Sequence, residues 1–147
     1  MNVLAPLVKT IEVDCDVERA FDVFTRGIDD WWPVAGHSLD EEKVESIVFE
    51  SGIGGRILER WHDGTERSWG EISAWEPPHR IAFSWLPNPD TGKSTQIEVR
   101  FRAAGSRTEV TLEHRGWERS TDDEGRRANY DTGWDGVLGL YAESAAL

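Results

Sequence analysis

An α+β fold is predicted for this 147-residue chain: a curved antiparallel sheet of about six or seven strands wrapped around a long C-terminal helix, with two short helices near the N-terminus. Three observations predict it. Ile97, Val99 and Phe101 alternate with Gln96, Glu98 and Arg100, and Val110, Leu112 and His114 alternate with Glu109, Thr111 and Glu113 across the turn Ala104-Gly-Ser-Arg107. Strict period two on both arms is the mark of a hairpin with one wet and one buried face. Tyr130, Trp134, Val137, Leu138 and Tyr141 recur at helical spacing, so the last segment is a helix with one aromatic stripe. Between the ends lie short apolar runs punctuated by Gly and Pro, the pattern of a meander. Such a sheet buries its apolar face on the helix, and the space it cannot fill becomes a concave pocket.

The elements follow in order. Leu7 to Val13 reads as a first strand, with Ile11 and Val13 apolar and Val8 weakly so. Asp16 is a helix N-cap, and Val17, Ala20, Phe21 and Phe24 give the helical period after it. A second short turn covers Ile28 to Trp32, stopped by Pro33. Val44 to Glu50 and Arg56 to Trp61 are strands around the glycine turn Ser51-Gly-Ile-Gly-Gly55, and Asp63-Gly64 closes a hairpin onto Ser68 to Trp75. Arg80 to Trp85 follows Glu76-Pro-Pro78, with Ile81, Phe83 and Trp85 on the buried parity. Pro87 to Gly92 is a loop, and the final helix runs from about Asp122 to Ala146. Gly133, Gly136 and Gly139 interrupt that helix, either to admit a close neighbour or to leave room beside it.

Composition bounds the function. The length fits one domain over residues 1–147. The net charge of −12 weighs against nucleic acid, whose phosphates need clustered Lys and Arg, and against anionic membrane surfaces. One cysteine, Cys15, excludes an internal disulfide framework and suggests a reducing compartment. No signal-like or membrane-length apolar run is seen, so a cytoplasmic location is expected. Neither Cys-x-x-Cys nor His-x-x-x-His occurs, and His37, His62 and His79 fall in loops, so no metal is expected. Gly52-Ile-Gly-Gly55 lacks the strand–turn–helix setting of a dinucleotide loop, no Ser sits in a nucleophile elbow, and no cofactor is expected. Cys15 reads as a small hydrophobe.

The eight tryptophans are the strongest compositional signal, and they are either ordinary core or the lining of a cavity. Parity turns Ile57, Glu59 and Trp61 toward the concave face with Phe83, Trp85, Val99, Leu112 and His114; helix spacing adds Tyr130, Trp134 and Leu138. Trp117 is placed at the rim. Only one of Trp31 and Trp32 is expected to face inward, because adjacent helical residues diverge; Trp32 is taken with the site. Trp69 and Trp75, out of parity with Ile72 and Ala74, are expected to cover the outer face or to pack under loops. Glu59 and His114 are the two candidate catalytic groups, a base and an acid sharing one pocket. The competing expectation is that both are strand-end residues satisfied by water or an Arg.

Ala20-Phe-Asp-Val-Phe-Thr25, Trp31-Trp-Pro33, Gly54-Gly-Arg56, Asp63-Gly64, Trp69-Gly70, Trp75-Glu-Pro-Pro78, Ile81-Ala-Phe-Ser-Trp85, Thr108-Glu-Val-Thr-Leu-Glu-His114 and Gly133-Trp134 occur in that order along nearly the whole chain. In this series the chain resembles the START-like (SRPBCC) superfamily, and within it the branch related to the activator of the heat-shock-protein ATPase. The resemblance implies a helix-grip fold. It implies several functions: binding of an apolar or aromatic small molecule, cyclase or dehydratase chemistry, or a co-chaperone-like role through protein contact. The first is the expectation adopted for this chain, with a homodimer or protein partner as a further option.

Overall fold

The chain was analysed as a computed structural model, described for residues 4–33, 42–86, 94–117 and 121–147. Seven strands form one antiparallel sheet: β1 (Leu7–Val13), β2 (Val44–Phe49), β3 (Arg56–Trp61), β4 (Glu66–Glu76), β5 (Arg80–Trp85), β6 (Thr95–Ala104) and β7 (Arg107–Arg115). Their order is β1-β7-β6-β5-β4-β3-β2. The chain starts beside its last strand, and the meander then runs outward to β2. Helices α1 (Val17–Phe24) and α2 (Thr121–Ala145) complete the helix-grip fold. His37 and the loop from Pro87 to Gly92 lie outside the described residues.

Local chemistry accounts for the element ends. Asp16 caps α1, its side chain accepting from the Arg19 backbone N–H at 2.9 Å, which satisfies one orphan donor of the first turn. In the β3–β4 turn the Asp63 carboxylate accepts from Thr65 N at 2.9 Å, and Gly64 takes φ +89°. Two tethers fix α2. Lys9, half-buried on β1, pairs with Asp131 at 2.5 Å and Asp135 at 3.1 Å. The Arg19 guanidinium on α1 donates to the carbonyls of Ala145 and Leu147 at the far end of α2, where unpaired helix carbonyls need donors.

The second N-terminal turn is a single 3₁₀ turn over Ile28–Asp30. The chain leaves helical geometry at Trp31 (φ −129°, ψ −17°), so both indoles of the pair turn inward. Trp31 is 5% and Trp32 9% exposed, against the expectation that one of them faces out.

The larger departure is in β4. Trp69 and Ile72 are both buried, and Trp75 packs edge-on against Phe21 at 5.1 Å between ring centroids. None of the three covers the outer face. Two register shifts explain this. Across β3, Ile57 pairs with Gly70 but Leu58 pairs with Ser68, leaving Trp69 extra. Across β5, Ile72 pairs with Phe83 but Ala74 pairs with Ala82, leaving Ser73 extra. Each bulge adds a residue and flips the parity beyond it, so Trp69, Ile72 and Trp75 all enter the concave side at three-residue spacing.

The helix glycines make no close approach. A Cβ built on Gly133, Gly136 or Gly139 meets nothing within 4 Å, and Gly136 and Gly139 lie on the exposed side of α2. They lower helix propensity without a packing return. Replacing each with Ala is expected to stabilise the protein by about 1 kcal/mol, read as a rise in Tm on thermal unfolding; unchanged or lower Tm values would show that the helix needs these glycines.

Candidate functional site

The concave face is walled with indoles. Trp32, Trp69, Trp85 and Trp134 come from four different segments and meet ring to ring: Trp32–Trp69 at 5.2 Å, Trp69–Trp85 at 5.6 Å, Trp32–Trp85 at 5.8 Å and Trp85–Trp134 at 6.1 Å between centroids. Tilted and edge-on pairs at these spacings are each worth about 0.5–1.5 kcal/mol beyond burial. Ile57, Phe83, Val99, Leu112 and Leu138 are buried in the same core, and Tyr130 packs against it.

His114 organises one side of this wall. It is 0% exposed. The Trp134 indole N–H donates to Nδ1 at 3.0 Å; an indole nitrogen only donates, so Nδ1 must be unprotonated. The ring proton of the neutral imidazole therefore sits on Nε2, which lies 2.7 Å from the Thr95 hydroxyl oxygen and donates to it. That hydroxyl donates onward to the Trp85 carbonyl. The Trp85 indole N–H reaches the Tyr130 hydroxyl at 3.1 Å, and the Trp117 indole N–H donates to the His114 carbonyl at 2.9 Å. Burial, reinforced by the positive charge of Arg126, pushes the His114 pKa down from 6.5 to about 3. The imidazole is neutral at physiological pH, with both nitrogens bonded to protein partners.

Trp117 is not at the rim. It is 0% exposed, with its ring centroid 4.5 Å from that of His114 and 5.6 Å from that of Tyr130. Gly116, at φ +100°, supplies a left-handed turn that other residues avoid, and this reversal folds Trp117 under the start of α2.

Glu59 sits on the opposite flank. It is 0% exposed. Its Oε1 accepts from the Trp61 indole N–H at 3.1 Å, and its Oε2 has no hydrogen-bond partner among the described residues. Trp61 is half-buried, with Lys43 at 5.0 Å and Arg67 at 5.7 Å from its ring centroid. Neither Glu59 nor His114 is satisfied by an Arg in the manner of a strand-end residue. They are not neighbours either: β3 and β7 are separated by β4, β5 and β6, about 19 Å along the sheet at a strand spacing of ~4.8 Å. Parity identified both as inward-facing; it could not show that they belong to different hydrogen-bond groups.

Two residues that carry this site were not anticipated. Trp69 is 1% exposed, and its indole N–H has no hydrogen-bond partner among the described residues. The unusual apolar spacing Trp69, Ile72, Trp75 was its only trace in the sequence. Thr95, the partner of His114, left none. The helix glycines, Cys15, His62 and His79 add nothing to the site. Cys15 is a half-buried thiol whose pKa burial raises. No group of three or more metal-ligating side chains occurs among the described residues. A separate groove of about 420 Å³ lies on the outer face, lined by Glu76, His79, Arg80, Arg100, Arg102 and Thr111 among others. Its arginines are already paired, Arg80 and Arg100 with Glu98 and Arg102 with Glu109. The exposed large apolar residues among those described are Val8 on β1, Ile53 in the β2–β3 turn, and Leu140 and Leu147 at the end of the chain. No helix among the described residues is long and apolar enough to cross a membrane.

Known proteins place this architecture. No curated protein matches the chain. Among solved structures, an anthrahydroquino-γ-pyrone synthase, Txn09, is 32% identical, with 96% of this chain and 97% of that one covered at a TM-score of 0.62. CalC from Micromonospora echinospora, a self-sacrificing resistance protein, is 25% identical over 96% and 94% of the two chains at a TM-score of 0.71. The Aha1 dimer from Colwellia psychrerythraea is 18% identical over 98% of each at a TM-score of 0.70, a likeness of fold alone. Residues 14–140 match the family described as Activator of Hsp90 ATPase homolog 1-like protein, and the chain belongs to that family, within the START-like superfamily.

Proposed function

We propose that this protein binds a fused aromatic small molecule between the concave face of the sheet and α2, and that it does so in the cytoplasm. The observation that carries the reading is the meeting of Trp32, Trp69, Trp85 and Trp134, four indoles from four segments, on one interior face. Rigid aromatic walls with few polar groups are what an apolar ligand site requires. The similarity to a synthase of an oxygenated, fused aromatic product supports the ligand class. That similarity also favours a second reading, conversion of the bound ligand. In that case Glu59 is the group with a free oxygen to act, because both nitrogens of His114 are engaged.

Naphthalene serves as the probe. Its titration is expected to change the tryptophan emission saturably, with Kd in the micromolar range typical of a small aromatic of this size, and the Trp85→Ala and Trp134→Ala variants are expected to bind at least tenfold more weakly. A linear, unsaturated change in emission, identical in wild type and variants, would contradict the proposal.

A further inference from the structure

Among the described residues, Glu59 Oε2 and Trp69 Nε1 are buried polar atoms with no hydrogen-bond partner, and they lie on adjacent strands of the concave face. The β3–β4 register sets Glu59 opposite Arg67, and Trp69 is two residues further along β4. It is thus a diagonal neighbour, and such pairs lie about 7–8 Å apart at the backbone, within reach of long side chains. The bulge at Trp69 is what brings its ring to this face. Leaving a buried donor and a buried acceptor unmet costs stability, and native interiors retain few of them. Here two are retained on neighbouring strands, and the donor does not bond the acceptor. Trp32 and Trp85 flank the Trp69 ring, at 5.2 and 5.6 Å between centroids, so Trp69 is set into the aromatic wall.

We infer that Glu59 and Trp69 form the polar end of the ligand site and select a hydroxyl group carried on the aromatic ligand, a phenol in chemical class. This rests on the ligand-binding reading above. A hydroxyl both donates and accepts, so one oxygen meets both needs: its O–H donates to Glu59 Oε2 while its lone pair accepts from the Trp69 N–H. A ketone or ether meets only the indole. An ammonium meets only the carboxyl. A carboxylate on the ligand faces the Glu59 oxygen. His114, with both ring nitrogens bonded to Trp134 and Thr95, takes no part in recognition.

The test compares two probes of the same shape, 2-naphthol and naphthalene, on the full chain and on the Glu59→Met and Trp69→Phe variants. A purely apolar site favours naphthalene, because burying an unpaired hydroxyl is penalised. The wild-type protein is instead expected to bind 2-naphthol about tenfold or more tighter. Either substitution is expected to bring the ratio of the two affinities to one or below. If one variant does not fold, the ratio in the other decides. Wild-type protein that binds naphthalene as well as or better than 2-naphthol overturns the inference while leaving the aromatic site intact, as does a preference for 2-naphthol that survives in both variants. Wild-type protein that binds neither probe overturns the ligand-binding reading itself.

Discussion

Replacing Gly70 with alanine is expected to destabilise the protein by about 3 kcal/mol or more and to lower Tm by roughly 10 °C. A Cβ at this position falls 1.8 Å from the Ser84 carbonyl oxygen and 2.7 Å from its carbon. Both are backbone atoms of the neighbouring strand, so no side-chain rotation relieves the overlap; β4 and β5 must separate. The site is doubly sensitive. Gly70 follows the bulge residue Trp69, and the adjacent Glu71 N–H donates to the Ser84 hydroxyl at 3.0 Å. Separation of the strands therefore also displaces the Trp69 indole from the aromatic wall. Denaturant unfolding of Gly70→Ala beside wild type measures the loss. A change below 0.5 kcal/mol, the range of ordinary surface substitutions, would mean that the β4–β5 approach is looser than described.

The second large effect is a loss of stability in acid traced to one imidazole. The His114 pKa falls from 6.5 to about 3 on folding, mainly because burial disfavours the charged ring and secondarily because of Arg126. Protonation at Nδ1 also sets an N–H against the indole N–H of Trp134. Between these two values the unfolded chain binds a proton that the folded chain refuses, so stability is complete above pH 6.5 and declines as pH falls toward 3. One such group changes the unfolding free energy by at most about 1.4 kcal/mol per pH unit, and by roughly 4–5 kcal/mol over the whole window. That is comparable to the total stability of many domains. Asp131, Glu50 and Glu66, whose pKa values are lowered chiefly by hydrogen bonds to Lys9, Arg56 and Arg60, add their losses at lower pH. Asp131 and Glu66 are exposed and Glu50 is half-buried, and their effects are small. Unfolding free energies of wild type at pH 7.5, 6.5, 5.5 and 4.5 are expected to fall steadily. Those of His114→Gln, whose amide has one acceptor and one donor group but does not titrate, are expected to start lower and stay nearly level over that range. Parallel curves would assign the acid sensitivity elsewhere.

Much of this architecture was legible because it rests on local periodicity. The β6–β7 hairpin and the aromatic stripe of α2 follow from spacing alone, and the Asp16 cap and the Asp63-Gly64 turn follow from side-chain chemistry within three residues. What was not legible depends on pairing across the sheet. The bulges at Trp69 and Ser73 are set by the strands on either side of β4, not by β4 itself, so parity counted along one strand assigned Trp69 and Trp75 to the outer face or to packing under loops, not to the concave side. Trp31 and Trp32 were separated by assuming a helix that ends before them. Trp117 was placed at the rim because nothing in its neighbourhood announces that Gly116 turns it inward. For the candidate site, the sequence pointed to Glu59 and His114 as inward polar residues, but not to their different circumstances. The partners of His114 are Thr95 and Trp134, about 20 positions away on either side, whereas Glu59 has an oxygen that no side chain among the described residues meets.

The seat of the ligand can be read directly from the eight indole N–H resonances in ¹H–¹⁵N correlation spectra recorded as naphthalene is added. The largest shifts are expected at Trp32, Trp69, Trp85 and Trp134, the four that line the interior face, saturating together at one Kd. Shifts confined to the half-buried Trp61 and Trp75, or no shifts while the probe still quenches fluorescence, would contradict an interior aromatic site.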